Sequence, residues 1–397
     1  MFERLHRLQT DPILGLMAAF RADADERKVD LGVGVYRDDR GETPVLGSVR
    51  RAEQAVLARQ RTKSYVSSVG NVGFNQAMER LVFGDDHPAL AADRVRTIQA
   101  PGGCGALRLG AELIRNAWPD TVIHVSTPTW ANHVPLLSGA GLKLERYPYY
   151  DPGTGGVRFE SMLAALEELP AHAVVLLHAS CHNPTGADLR EAQWRELLAV
   201  LRRRNLLPFL DIAYQGLGAG LPEDAFAVRL FCAELPEVAV AVSCSKNFGL
   251  YRERTGCLHV VSESARSGDA ALSHLVRIAR SLYSMPPDHG AAIVLEILGD
   301  QALRTQWTEE VAGMRKRLTG LRHELVKHLR AACPQRDFDF IASQRGMFSF
   351  LGVDTAQVHA LRERHHIYMT DDSRINIGGL RADNLPYFAQ AVAQVLG

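Results

Sequence analysis

The chain has 397 residues, long enough for a large domain plus a smaller one, and its 45 Lys+Arg against 45 Asp+Glu leave neither the basic field that nucleic acid requires nor an acidic tail, so a small-molecule partner is expected. No apolar run approaches bilayer length, and the start "MFERLHRLQTDP" is charged and lacks the apolar core of a signal peptide, so a cytoplasmic protein without membrane contact is expected. The six cysteines (Cys104, Cys181, Cys232, Cys244, Cys257, Cys333) contain no CxxC pair and read as reduced packing residues, which excludes a structural zinc site from the expectation.

In chain order, "GALRLGAELIRNAW" at 105–118 carries apolar residues at helical spacing, and "TVIHVS" at 121–126 and "AVVLLHA" at 173–179 read as strands. A second helix follows in "REAQWRELLAVLRRR" at 190–204, then strands "PFLDIAY" at 208–214, "VAVAVSC" at 238–244 and "CLHVVS" at 257–262. This alternation predicts an α/β fold with a mostly parallel sheet covered on both faces, spanning about 100 to 265. From Gln301 the pattern turns long and helical, and a strand-like "MFSFLGV" and a terminal helix follow, pointing to a second domain onto which the first residues fold back.

Ligands of such folds sit where strands end. Gly102, Gly103 and Gly105 precede a helix, whose first N–H groups can bind phosphate, although ordinary tight turns share this feature. The stretch is neither a GxxxxGK[ST] loop nor a GxGxxG fingerprint, which disfavours ATP and NAD. His178, His182 and Asn183 lie between a strand and the Pro184 to Gly186 turn. With no carboxylate or cysteine ligand set beside the two histidines in the sequence, no metal site is expected. Asp211 sits inside an apolar strand with Tyr214 at its mouth; a buried carboxylate needs a cation, either an arginine of the core or a protonated ring nitrogen of a cofactor. Lys246 follows the apolar run 238–242, where it is either a solvated loop residue or a functional amine. A lysine, a buried aspartate and a glycine-rich helix start together match the needs of pyridoxal phosphate: an amine for the Schiff base, a carboxylate for the pyridine nitrogen and a turn for the phosphate.

The motifs "DPILGL", "LGVGVYRD", "TPVLGSV", "GGCGAL", "PTWANH", "CHNPTG", "DIAYQG", "SKNFGLYRER", "YSMPP", "RGMFSF" and "SRINIGG" occur in this order from Asp11 onward. With them the chain resembles the fold-type I, subgroup Iα aspartate and aromatic amino-acid aminotransferases, the bacterial aromatic enzymes in particular. The resemblance implies a large domain with a mostly parallel seven-stranded sheet flanked by helices, plus a smaller α/β domain. The corresponding division is an N-terminal arm with part of the small domain at 1–45, a large cofactor-binding domain at 46–300 and a small C-terminal domain at 301–397.

The same resemblance implies pyridoxal 5'-phosphate as cofactor, with Lys246 as Schiff-base lysine and proton carrier. Asp211 would pair with the pyridine nitrogen and be held by His133, with His178 behind it; Asn183 and Tyr214 would bond the phenolic oxygen and Trp130 would stack over the ring. Phosphate contacts would fall to Gly103, Cys104, Ser243 and Arg254, with Tyr65 reaching across from a second subunit of a homodimer. Arg374 and Gly34 would meet the substrate α-carboxylate, Trp130 and Asn183 would also contact the substrate, and Arg280 of the other subunit would meet a distal carboxylate.

Three departures bear on this pattern. Cys104 stands where threonine or serine is usual, a weaker donor for phosphate. Leu282 and Met285 beside Arg280 occupy often polar positions, and Ser64 precedes Tyr65 at a variable one, giving a less polar pocket. Val35, Arg37 and Thr43 look more like the aspartate-preferring pattern. The expectation is a ping-pong aminotransferase of amino-acid metabolism that takes tyrosine or phenylalanine with 2-oxoglutarate and also aspartate. A plain aspartate aminotransferase is the alternative, and a non-catalytic aminotransferase-like binding module a remote one.

Overall fold

The computed structural model describes residues 1–7 and 12–397; Asp11, which opens the "DPILGL" motif, lies outside them. Contacts divide the chain into two compact units, one of Pro44–Arg317 with Gln344–Gly346, the other of Met1–Thr43, Leu318–Ser343 and Met347–Gly397. The sequence division at 300/301 coincides with the start of the helix Gln301–Ala332, whereas the division by contacts falls inside that helix. Its early turns pack in the larger unit, where Trp307 donates to the Asn247 carbonyl, and its later turns in the smaller, where Arg322 donates to the Ile341 carbonyl. Helical periodicity carries no mark of such a change of neighbours.

In chain order the strands are β1 (Val29–Asp30), β2 (Val95–Pro101), β3 (Val122–Thr127), β4 (Lys143–Pro148), the hairpin β5 (Tyr150–Asp151) and β6 (Gly156–Val157), β7 (Val174–His178), β8 (Leu207–Ile212), β9 (Val238–Ser243), β10 (Thr255–Val261), β11 (Phe348–Phe350), β12 (Ile367–Tyr368) and β13 (Arg374–Asn376). In the larger unit seven of them form one sheet in the order β2-β10-β9-β8-β7-β3-β4. β10 runs antiparallel to both its neighbours, and every other pair in the sheet is parallel. β7 and β9 are buried at every position and β8 at all but its first, which is why they read as continuous apolar runs rather than alternating ones.

Helices cover the sheet. Gly102–Ala117 turns Ala106, Leu107, Leu109, Gly110, Ala111 and Ile114 inward, and Glu191–Arg204 buries Trp194, Leu197, Leu198 and Leu201. Because β10 alone is reversed, its first residue lies on the same edge as the last residues of β2, β3, β7, β8 and β9. That carboxyl edge carries the predicted residues of this unit other than Tyr65 and Arg280. A hollow of about 480 Å³ opens at the opposite edge, beside Val174, Leu207, Val238 and Val261, and none of the predicted site residues lines it.

In the smaller unit β1 pairs in parallel with β12, and β11 antiparallel with β13. The helices Thr355–His365 and Leu385–Leu396 belong to the same unit. Among the described residues no helix is long and apolar enough to cross a membrane.

Candidate active site

One end of the candidate site is built by the turn from β2 into the helix Gly102–Ala117. Among the described residues no side chain caps this helix, so its first N–H groups remain available to a ligand. Gly102 has φ +70°, and a Cβ there would stand 2.6 Å from Arg254 Nη2; one on Gly103 would stand 3.1 Å from Ser243 Cβ. Only glycine lets the guanidinium and the serine come this close to the helix start. Ser243 Oγ donates to Ser245 Oγ (3.1 Å) and accepts from the Ser245 amide (3.2 Å), while Asn132 Nδ2 donates to Cys104 Sγ at 3.6 Å. Sequence reasoning did not single out Ser245; its spacing from Ser243 and its place before Lys246 were the available signal.

Asp211, the fifth residue of β8, is buried, and its Oδ2 lies 3.0 Å from His133 Nε2. His133 opens the short helix after β3, and Thr129 Oγ1 meets its Nδ1 at 2.8 Å, a contact the sequence analysis missed. Burial opposes ionisation of Asp211, yet the bond and charge of His133, with the charge of Lys246, outweigh it and hold the carboxyl below its ordinary range. Its Oδ1 has no hydrogen-bond partner among the described residues. An ionised, buried carboxylate with one oxygen unpartnered is a receptor for a cation, and no described core arginine fills that place.

His178 packs 5.1 Å from the His133 ring and 4.2 Å from His182, itself stacked on Tyr149. Burial and the charge of His133 push the His178 imidazole down to about 3, so it stays neutral. The sequence places no carboxylate beside these histidines, but folding supplies one, since ligand atoms of His133, His178 and Asp211 lie within 4.8 Å of one another. The His133 and Asp211 atoms are, however, already bonded to each other.

Lys246, half-buried after β9, holds its Nζ 4.8 Å from the centre of the Tyr214 ring. Its packed surroundings push its ammonium below the ordinary lysine range, against the pull of Asp211 and with the help of Arg254. An amine so placed reaches its neutral, nucleophilic form more readily. Asn183 Nδ2 donates to the Tyr214 hydroxyl at 3.4 Å, and Asn183 Oδ1 is buried without a partner among the described residues. Trp130, half-buried, meets the His133 ring edge-on at 5.2 Å. Tyr65 is 93 % exposed, and Arg280 is exposed with its guanidinium bonded to Ser284 Oγ.

The remaining predicted residues lie in the smaller unit. Arg374, on β13, is buried; its Nη2 donates to the Gly32 carbonyl at 2.7 Å and its guanidinium lies 4.6 Å over the Phe348 ring. Gly34 packs so closely that an added Cβ would be 3.0 Å from Phe348 Cζ. Asn376 Nδ2 donates to the carbonyls of Val33 and Val35, and Asp30 accepts from the Gly32 amide and from Arg37, so Arg37 is engaged in shaping this loop.

The chain matches the family described as Aminotransferase class I and II over residues 26–392. It is 48 % identical over 394 residues to the aromatic-amino-acid aminotransferase of Pseudomonas aeruginosa, covering 99 % of this chain and 98 % of that one. It is 41 % identical over 396 residues to the aspartate aminotransferase of Haemophilus influenzae, covering both chains fully. Among solved structures it is similar to the aromatic-amino-acid aminotransferase of Burkholderia pseudomallei covalently bound to pyridoxal phosphate, with TM-score 0.98, 45 % identity and full coverage of both chains. The fold, the lysine–aspartate pair at the carboxyl edge of the sheet and these likenesses together make the chain a member of the class I and II aminotransferases.

Proposed function

We propose that this chain is a pyridoxal-phosphate-dependent aromatic amino-acid aminotransferase that takes tyrosine or phenylalanine with 2-oxoglutarate, works by a ping-pong cycle and also accepts aspartate. The carrying observation is Asp211, buried and ionised, with one oxygen on His133 and the other unpartnered. That second oxygen suits a pyridinium N–H, and the Gly102 to Cys104 turn with Arg254 and Ser243 suits a phosphate. When bound, the cofactor supplies an aldehyde and an electron-accepting ring that carry the amino group between the two half-reactions.

The protein's own groups divide the remaining work. Lys246 would hold the cofactor covalently and move the substrate's α-proton; its depressed basicity suits both tasks. Asn183 and Tyr214 would bond the ring oxygen and Trp130 would cover the ring, with His178 supporting His133 from behind. Gly103, Cys104, Ser243 and Arg254 would hold the phosphate, and Tyr65 would join them from a second copy of the chain, consistent with its exposure. Arg374 and Gly34 bind the α-carboxylate, and Arg280 of the second copy a distal one; a planar guanidinium suits both. The homodimer, with sites shared between chains, and a cytoplasmic location are part of this reading.

Two features support the aromatic donor. The Pseudomonas and Burkholderia relatives carry that name. Leu282, two residues from Arg280, leaves an apolar side chain 44 % exposed. The test is kinetic and chemical. Borohydride treatment of the holoenzyme is expected to fix the cofactor to the peptide carrying Lys246, and kcat/KM is expected to be higher for tyrosine than for aspartate. A higher value for aspartate would make it an aspartate aminotransferase, and absence of fixed cofactor on that peptide would overturn the covalent role of Lys246.

A further inference from the structure

Arg322 is the one arginine among the largest fully buried side chains of the described residues, with 1 % of its surface exposed. A buried guanidinium is costly unless its donors are satisfied. Two of its acceptors are main-chain carbonyls of separate segments: Nη1 donates to Ile341 at 3.0 Å and Nη2 to Phe348 at 2.6 Å. The fork of donors suits arginine and not lysine, whose single ammonium cannot span both carbonyls with the same planar geometry.

The Phe348 carbonyl that Arg322 grips belongs to β11, next to the strand that carries Arg374. In the β11–β13 pair Phe348 faces Asn376 and Phe350 faces Arg374. The Arg374 guanidinium lies 4.6 Å from the centre of the Phe348 ring, and a Cβ added at Gly34 would stand 3.0 Å from its Cζ. The ring therefore supports one face of the guanidinium while its Nη2 bonds the Gly32 carbonyl directly, and Arg322 fixes the backbone from which that ring projects.

We propose that Arg322 is a positioning residue for α-carboxylate binding: it clamps Phe348, and Phe348 sets the plane of Arg374 against the Gly34 loop. This rests on the reading of Arg374 as the α-carboxylate arginine. Arg322 does not touch the substrate. Its influence passes through one aromatic ring, so it acts on how well a carboxylate is held and not on the chemistry at Lys246.

The test uses holoenzyme variants Arg322→Lys, Arg322→Met, Phe348→Leu and the double variant Arg322→Lys/Phe348→Leu, with Arg374→Ala as reference. KM for tyrosine and for aspartate is expected to rise about 10-fold in Arg322→Lys and further in Arg322→Met, while kcat stays within about 3-fold and the cofactor absorbance is unchanged. The double variant is expected to lose little beyond Phe348→Leu alone, since both changes cut one path. Unchanged KM in Arg322→Lys, a loss confined to kcat, or strictly additive penalties in the double variant would overturn the proposal. Should Phe348→Leu not fold, the order of KM in Arg322→Lys and Arg322→Met decides it, equal values counting against. Arg374→Ala tests the underlying reading separately: a KM that does not rise there sinks the role of Arg374, whatever Arg322 does.

Discussion

His133 Nε2 and Asp211 Oδ2 lie 3.0 Å apart in the buried core of the larger unit, and Thr129 Oγ1 closes on the other ring nitrogen at 2.8 Å. The threonine and the aspartate between them fix the imidazole at both nitrogens. The carboxylate is thus held ionised and presents its second oxygen in one direction, as a partner for a cationic ring nitrogen must.

From this pair, Asp211→Asn is expected to keep the fold, because the amide is the same size, and to lower kcat/KM by at least about 1,000-fold, because a neutral amide does not hold a ring nitrogen protonated. His133→Asn is expected to cost about 10-fold, since His133 acts only through Asp211. Steady-state kinetics on both variants check this. Equal losses would mean that His133 itself contacts the reacting groups.

Cys104 offers a thiol where a hydroxyl would be the stronger donor, in the first turn of the Gly102–Ala117 helix. Cys104→Thr is expected to tighten cofactor binding about 2- to 5-fold, the scale of improving one hydrogen bond to an anion. Cofactor dissociation followed by absorbance measures it. Weaker binding in Cys104→Thr would mean that the Asn132 to Cys104 contact, at 3.6 Å, already serves the phosphate better than a hydroxyl does.

At Gly110, in the middle of that helix, an added Cβ would stand 2.4 Å from Phe209 Cζ of β8. Helix propensity alone favours alanine there by roughly 1 kcal/mol, but the ring has nowhere to go in a closed core. Gly110→Ala is expected to destabilise the larger unit by about 1–3 kcal/mol in denaturant unfolding. A stabilised variant would show that the core gives way at Phe209.

The parts of the fold legible in sequence were those whose burial shows in composition. β7, β8 and β9 announce themselves because both faces are covered, and Lys246, Asp211 and Asn183 are conspicuous because they interrupt or end such runs. β4 was illegible because it is an edge strand with Lys143, Glu145 and Arg146 exposed. β2 was illegible for a different reason. Its interior holds Thr97 and Gln99, whose partners are distant: Thr97 bonds Glu79 and His259, and Gln99 bonds the Asn71 amide and the Pro287 carbonyl. Polar residues satisfied only through tertiary contacts look like loop in one dimension. Thr129 and Ser245 escaped notice likewise, as each has a role only through the side chain it touches.

His259 on β10 links to the pH dependence of stability. It is fully buried, with Nδ1 2.7 Å from Thr97 Oγ1 and Nε2 3.5 Å from Cys257 Sγ, and burial pushes its imidazole down to about 3. The unfolded chain protonates near the ordinary histidine value of 6.5. Between those values the unfolded state binds a proton that the folded state refuses, so the contribution is complete above about 6.5 and is lost progressively as pH falls toward 3. The loss is on the order of a few kcal/mol for this residue. His178, also near 3, acts in the same direction, while Asp188, which burial raises to about 6, acts in the opposite one. His259→Gln keeps a polar group toward Thr97 and removes the titration, so unfolding midpoints measured from pH 7 to pH 4 are expected to fall less steeply in the variant than in the parent chain. Parallel curves would mean that His259 takes up its proton without unfolding, and that its surroundings at Thr97 and Cys257 accommodate a charge.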